Sequence, residues 1–190
     1  MGGCTHGVYG AALPGRWQTP GVGQIVIVGL MGAGKTTVGA ALAKALGLPL
    51  RDSDAEIQRA TGRTARMIAD SDGIEALHTL ERAHVLDALA GEPAVITAAA
   101  SVIDDEAVRA ALVAPHVTVV WLRVLPAVAA ARGRVDDHRP SPEPLAVQAA
   151  RRDPRFASVA SIVVDADDAA PDAIVGSILA RLDVVEVAAP

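Results

Sequence analysis

Residues 29–36 restrict the fold of this chain more than any other segment. They read GLMGAGKT, which fits the pattern G-x-x-x-x-G-K-[ST]. The β-branched run QIVIV at 24–28 precedes them, and residues 36–46 follow with helical spacing that Gly47 ends. In such a strand–loop–helix unit, glycines let the backbone curl so that its N–H groups point at phosphate oxygens, and the helix start adds a positive dipole end. The segment therefore predicts a phosphate-binding loop.

The residue types within this loop predict a nucleotide triphosphate with its metal ion. Lys35 is expected to reach the β- and γ-phosphates, and the Thr36 hydroxyl to ligate Mg²⁺. The cofactors predicted are ATP and Mg²⁺. The chain has no Asn-Lys-x-Asp segment that would read guanine, which favours a small-molecule kinase over a GTPase. The other nucleotide-binding positions predicted around the loop are Gly29, Met31, Gly32, Ala33, Gly34 and Thr37.

The remaining chain alternates between strand and helix patterns. Strand candidates lie at 24–28, 48–50, 94–97, 117–122 and 161–164, and helical stretches at 36–46, 72–90, 104–112, 126–131 and 171–182. This order predicts an α/β domain with a parallel sheet. A hydrophobic share of 51% with only 2% aromatic residues suits a sheet buried by aliphatic side chains. We expect a P-loop domain at 24–182, a disordered N-terminal extension at 1–23 and a short tail at 183–190.

Composition narrows the partners and the compartment. The formal net charge of −5 disfavours a general nucleic-acid binder, which needs a basic face. Cys4 is the single cysteine, so an internal disulfide is excluded and a reducing cytoplasm is expected. No apolar run is long enough to span a bilayer, which takes about 20 residues. We therefore expect a cytoplasmic protein with a small-molecule partner, no nucleic acid, no membrane contact and a monomeric state.

Two carboxylates follow the second strand candidate. Asp52-Ser53-Asp54 would lie at the carboxyl end of that strand, where open α/β sheets bind their ligands. Asp52 could orient Mg²⁺ through water, while Asp54 could hold and deprotonate an acceptor hydroxyl. The alternative is that Asp52 or Ser53 caps the next helix.

Several motifs taken in order resemble the shikimate kinase family. They are the loop at 29–36, Asp52-Ser53-Asp54, TGRT at 61–64, Asp72-Gly73 and Glu81, and the resemblance spans about residues 24–182. It implies an α/β fold of the P-loop nucleoside-monophosphate-kinase type, with a five-stranded parallel sheet flanked by helices and a short lid. It also implies phosphorylation of shikimate to shikimate 3-phosphate, a step of aromatic amino acid biosynthesis.

The resemblance also implies roles for residues in the second half of the chain. Arg132 matches an arginine that contacts adenine, and Pro171 closes the other side of the base. Arg139 lies in the charged, Pro-rich segment 133–144 and matches the lid arginine. With Lys35 and Asp54 it completes the predicted catalytic set, because it could stabilise the γ-phosphate during transfer. Arg152 matches an arginine that binds the substrate carboxylate. The alternatives are solvated surface charges and, for Arg152, a charge near a helix end.

The acceptor side departs from the family's pattern. Ala98, Ala99 and Ala100 replace three glycines, so methyl groups narrow the pocket, and any left-handed residue there would cost about 1–2 kcal/mol. Leu77-His78 replaces a Phe-Arg pair, and Ile74 replaces an acidic residue. His78 is expected to bind a substrate carboxylate less strongly than an arginine would, because histidine is mostly neutral at pH 7. The predicted substrate-binding residues are Asp54, His78, Ala98, Ala99, Ala100 and Arg152.

These departures leave two further functions open. The chain could be a kinase for another hydroxylated acceptor, such as a sugar acid, or a nucleotide-binding regulatory protein without transfer activity. The sequence predicts that ATP and Mg²⁺ binding are kept, and that use of shikimate is weak or altered.

Overall fold

The computed structural model of this protein describes residues 23–133 and 143–182. The predicted N-terminal extension up to residue 22, the predicted tail at 183–190 and Arg139 lie outside the described residues. Within the described ranges, no helix is long and apolar enough to cross a membrane.

Five parallel strands form one sheet, as the sequence predicts. Their order is β2-β3-β1-β4-β5, so β1, which leads into the phosphate loop, lies in the middle. Every residue of β1 is buried, because helices cover both faces of the sheet. The strands are β1 Gln24–Val28, β2 Leu50–Asp52, β3 Val95–Thr97, β4 Val117–Arg123 and β5 Ile162–Asp165.

Helices connect the strands and build the walls of the site. They are α1 Lys35–Leu46, α2 Ser53–Thr61, α3 Ala65–Asp72, α4 Ile74–Ala90, α5 Glu106–Leu112, α6 Pro126–Gly133, α7 Leu145–Val159 and α8 Pro171–Leu179, with a 3₁₀ turn at Ala100–Asp104. The main core lies around the sheet. A second, smaller cluster, which joins α2, α3 and α4, consists of Ile57, Ala65, Ile68 and Leu77.

Several predicted boundaries are wrong. The strand predicted at 48–50 is Leu50–Asp52, because the Leu48 N–H is still bonded to the Ala43 carbonyl at the end of α1. The helix predicted at 72–90 begins at Ile74, because Gly73, with φ +89° and ψ 160°, separates it from α3, which ends at Asp72. Such a left-handed backbone angle suits glycine and breaks the helical hydrogen bonding.

The remaining differences are helix ends and helices that the sequence did not reveal. The helix predicted at 104–112 begins at Glu106, with Asp105 as its cap, and the helix predicted at 171–182 ends at Leu179. α2, α3 and α7 were not predicted. α7 is difficult to predict from the sequence because Pro154 lies inside it, and proline normally interrupts a helix.

Gly39 permits the close approach of α1 to β3. A Cβ placed there would lie 2.3 Å from the Thr97 Cγ2. We expect Gly39→Ala to lower the free energy of unfolding by about 1–3 kcal/mol, because a buried methyl group would have to displace the strand side chain. Denaturant unfolding measures the change.

Gly176→Ala is the matched control, because Gly176 is also helical and a Cβ there meets nothing within 4 Å. It should raise stability by about 0.5–1 kcal/mol. Equal effects of the two substitutions would contradict the packing explanation.

Candidate active site

The phosphate loop curls between β1 and α1, as the motif predicts. Gly32 has φ +80°, and a Cβ at this position would lie 2.3 Å from the Ala129 carbonyl oxygen of α6. Only glycine fits both conditions. α1 begins at Lys35, so its first N–H groups face the loop. The Lys35 Nζ donates to the Gly29 and Leu30 carbonyls at 3.0 and 2.9 Å.

Asp52 connects three parts of the site. Its Oδ2 accepts hydrogen bonds from the Thr36 hydroxyl at 2.9 Å and from the Thr97 hydroxyl at 2.5 Å. Its Oδ1 accepts from the Ala55 N–H at 3.0 Å and caps α2. The capping role given as the alternative for Asp52 is therefore confirmed, and the same carboxylate accepts a hydrogen bond from the predicted metal ligand Thr36. The predicted role of Asp52 in orienting Mg²⁺ stays a prediction. The two carboxylate oxygens of Asp52 thus act only as acceptors in these three contacts.

A cavity of about 860 Å³ extends from the loop toward α4 and α7. It brings together most of the site residues that the sequence predicts: Met31, Gly32, Gly34, Lys35, Thr36, Thr37, Asp52, Asp54, His78, Ala98, Ala99, Ala100, Arg132 and Arg152. Of the described residues in the prediction, Gly29, Ala33 and Pro171 do not line it. One concave surface therefore joins the phosphate loop to the predicted acceptor residues.

The three alanines adopt ordinary backbone conformations. The Ala98 N–H donates to the Ile27 carbonyl at 3.1 Å, which extends the pairing of β3 with β1. Ala99 has φ −61° and ψ 147°, and among the described residues only glycines have positive φ. The cost considered for a left-handed alanine therefore does not arise. The alanines are buried against the cavity, so their methyl groups form an apolar part of its wall.

α4 presents His78 and Glu81 to the same cavity. Leu77 beside them is buried in the second hydrophobic cluster, whereas the His78 side chain is 36% exposed and its Nδ1 lies 4.0 Å from the Glu75 Oε1. Glu81 is buried and accepts a hydrogen bond from the Ser101 hydroxyl. This wall of the cavity therefore offers a carboxylate and a half-exposed imidazole.

Arg152 lies within α7 and not near its end, so the alternative of a helix-end charge is wrong. The residue is 6% exposed. Its Nε donates to the Asp104 Oδ2 at 2.9 Å and its Nη1 to the Gln148 Oε1 at 2.5 Å. A buried guanidinium with two acceptors is fixed in orientation.

Arg132 lies at the opposite end of the cavity, near the end of α6. Its Nη2 donates to the Asp167 carbonyl, in the loop that leads to α8. Pro171 is the first residue of α8. The structure thus places Arg132 beside the segment before Pro171, although Pro171 itself lies off the cavity wall.

A charged cluster behind the site ties α2 to α4. The Glu56 carboxylate accepts from the Arg51 Nε at 2.7 Å and lies 3.1 Å from the His84 Nε2. Burial lowers the pKa of His84 below its ordinary 6.5, although Glu56 acts in the opposite direction. Burial raises the pKa of Glu56, but the Arg51 hydrogen bond and charge outweigh it and hold that pKa below 4.5. Neutral His84 and ionised Glu56 are therefore the folded-state forms.

Sequence reasoning missed four residues that shape the site: Thr97, Ser101, Asp104 and Gln148. Thr97 is the last residue of β3, and ligand sites in parallel sheets lie at the carboxyl ends of strands. Its position in the predicted strand could therefore have identified it as a site residue. Gln148 and Arg152 are four residues apart and face each other on α7, a helix that the sequence did not predict. For Ser101 and Asp104 the sequence carries no comparable signal.

Comparisons with known proteins identify related enzymes. A family model described as shikimate kinase matches residues 31–183. The shikimate kinase of Mycobacterium tuberculosis (strain ATCC 25177 / H37Ra) is 38% identical over 167 residues, which cover 85% of this chain and 94% of that protein. The shikimate kinase of Thermobifida fusca is 49% identical over 115 residues, which cover 60% of this chain and 66% of that protein.

A solved structure agrees with these relatives. Shikimate kinase from Acinetobacter baumannii in complex with shikimate superposes with a TM-score of 0.78 at 30% identity, covering 83% of this chain and 91% of that one.

The low pKa of His84 predicts a loss of stability in mild acid. The unfolded chain takes up a proton near pH 6.5, whereas the folded protein does so only at lower pH, so the free energy of unfolding should fall as pH drops below about 6.5. His84→Gln should reduce this dependence between pH 7.5 and 5.5 in denaturant titrations. His116→Gln, at an exposed position, is the control and should keep it. An unchanged pH dependence in His84→Gln would contradict the assignment.

Proposed function

The chain belongs to the shikimate kinase family of ATP-dependent small-molecule kinases, and from this we propose that it transfers the γ-phosphate of ATP to a hydroxyl of shikimate. The observation that carries the proposal is one cavity that contains both the phosphate loop and Asp54, with Arg152 on the far wall. The relatives' names and the shikimate-bound neighbour support the acceptor.

The nucleotide side is proposed to work through the loop and the Asp52 carboxylate. Lys35 leaves the Gly29 and Leu30 carbonyls and pairs with the β- and γ-phosphates. The Thr36 hydroxyl donates a hydrogen bond to Asp52, which leaves its oxygen lone pairs for Mg²⁺, an ion that prefers oxygen ligands. Arg132 and Pro171 are proposed to enclose the adenine. The described residues contain no cluster of three or more His, Cys, Asp or Glu for a metal, which fits an ion held mainly by phosphates and water.

The transfer step is an in-line displacement. The acceptor hydroxyl oxygen forms a bond to the γ-phosphorus, the bond from that phosphorus to the bridging oxygen of ADP breaks, and the hydroxyl proton passes to Asp54. Lys35 stabilises the charge on the leaving oxygens, and a Mg²⁺ ion held by Thr36 would supply further positive charge there. Arg139, outside the described residues, is proposed to add a further positive charge. Catalysis comes mainly from positioning these groups.

Acceptor binding is proposed to depend on Arg152 more than on any other described side chain. Arg152 is the arginine that matches the family's carboxylate-binding residue and is buried in the cavity wall. His78 replaces the second arginine, and Ala98, Ala99 and Ala100 contact the ring of the acceptor. With one permanent cation in place of two, we expect a high KM for shikimate.

A different acceptor is the second candidate, and His78 is the observation that favours it. A half-exposed imidazole suits a hydroxyl better than a carboxylate. Release of ADP should therefore be compared for shikimate and for sugar acids such as gluconate. If kcat/KM were larger with a sugar acid than with shikimate, the sugar acid would be the acceptor instead of shikimate.

Asp54→Asn tests whether the protein transfers phosphate. An asparagine keeps the shape and loses the base, so we expect kcat with ATP and shikimate to fall by about 100-fold or more, while the affinity for Mg-ATP changes little. Coupled ADP release and calorimetry measure the two quantities. Failure of the unsubstituted protein to turn over either shikimate or a sugar acid, together with normal ATP binding, would instead favour the regulatory function.

Thr97→Val tests the link between β3 and the metal ligand. Valine keeps the methyl group that packs against α1 but removes the hydroxyl that donates to Asp52. Asp52 then holds Thr36 less firmly, so the Mg²⁺ concentration at half-maximal rate should rise severalfold while KM for shikimate stays constant. Thr118→Val in β4 is the control. An unchanged Mg²⁺ dependence would contradict this role.

A further inference from the structure

Arg152 is held from two sides by residues that no recognised motif includes. Its Nε and Nη2 both lie 2.9 Å from the Asp104 Oδ2, and its Nη1 donates to the Gln148 Oε1 at 2.5 Å. The side chain is only 7% exposed. Asp104 and Gln148 therefore fix the plane of the guanidinium as well as its position.

These contacts decide which part of Arg152 faces an acceptor. A guanidinium carries five N–H groups in a planar fork, and the contacts with Asp104 and Gln148 account for three of them. One N–H remains on each of the two terminal nitrogens. Such a pair matches the two oxygens of a carboxylate. Since Arg152 lines the cavity, this terminal fork is the part that an acceptor carboxylate would meet.

Asp104 is itself held firmly. It ends the 3₁₀ turn that begins at Ala100 on the cavity wall. Its Oδ1 accepts from the Arg155 Nη1, and the Arg151 Nη2 lies 3.6 Å from its Oδ2. Three arginines of α7 thus meet one carboxylate, so the Asp104 charge fixes α7 to the end of the turn.

The charges around the cavity explain why Arg152 needs such an anchor. Asp54, Glu81 and Glu143 line the same cavity. A guanidinium without a fixed counter-charge would be attracted to these carboxylates, because charges interact strongly in a partly buried site. It would then turn away from the acceptor carboxylate and bind it less tightly.

Resting on the proposed function, we propose that Asp104 is a positioning residue that aims the terminal fork of Arg152 at the acceptor carboxylate. It touches neither ATP nor the acceptor. Its effect is on acceptor affinity, through the orientation of Arg152, and only for acceptors that carry a carboxylate.

Calorimetric titration of the full chain with shikimate tests this, with Asp104→Asn as the main variant. Asparagine keeps the shape and loses the charge, so we expect the Kd to rise about tenfold, the effect of losing a charge-assisted hydrogen bond. KM for shikimate should rise equally, with KM for ATP and kcat unchanged. Asp104→Glu should recover part of the affinity. Arg155→Gln, which removes a partner of Asp104 but not of Arg152, should stay within about twofold of the unsubstituted protein.

The methyl ester of shikimate separates positioning from general damage. Because the ester lacks the charge that Arg152 would bind, Asp104→Asn should not change its Kd. Equal losses for acid and ester, or unchanged or tighter binding of shikimate by Asp104→Asn, would overturn the proposal. Binding of shikimate without turnover would refute only the proposed function, whereas absence of binding to the unsubstituted protein would refute both.

Discussion

The site depends on the carboxylate of Asp52. It accepts hydrogen bonds from the first turn of α1, from the end of β3 and from the first turn of α2, and so it joins the phosphate loop to the acceptor wall. A buried ionised carboxylate is costly unless its oxygens are satisfied, and here two hydroxyls and an N–H satisfy them. The same contacts direct the Thr36 oxygen toward the cavity. One carboxylate therefore holds together the start of α1, the end of β3 and the start of α2.

The nucleotide half was largely predictable from the sequence, because its constraints are local. The loop at 29–36 needs glycine where its backbone approaches α6, and that need is visible in the motif itself. The parallel sheet followed from aliphatic runs alternating with helical patterns. Strand ends were less certain, since the residues that end β2 are charged and take their roles from the site rather than from the sheet.

The acceptor half was predictable only in part, because its contacts join segments that are distant in the chain. Arg152 was found by resemblance, but its partner Asp104 lies 48 residues away, and α7, which brings them together, contains a proline. The alanines were expected to crowd the pocket. The structure shows that they line the cavity without backbone strain, since none of them has a positive φ. Side-chain pairing of this kind leaves no periodic signal in a sequence.

The small hydrophobic cluster of α2, α3 and α4 has a consequence for how such an enzyme can diversify. Ile57, Ala65, Ile68 and Leu77 pack with one another apart from the main core around the sheet. Substitutions in this wall thus disturb a few local contacts and leave the central strands intact. Substitutions in this wall can therefore change acceptor specificity during evolution, while the sheet and the phosphate loop stay folded. Leu77 belongs to this cluster, and His78 follows it on α4 and lines the cavity.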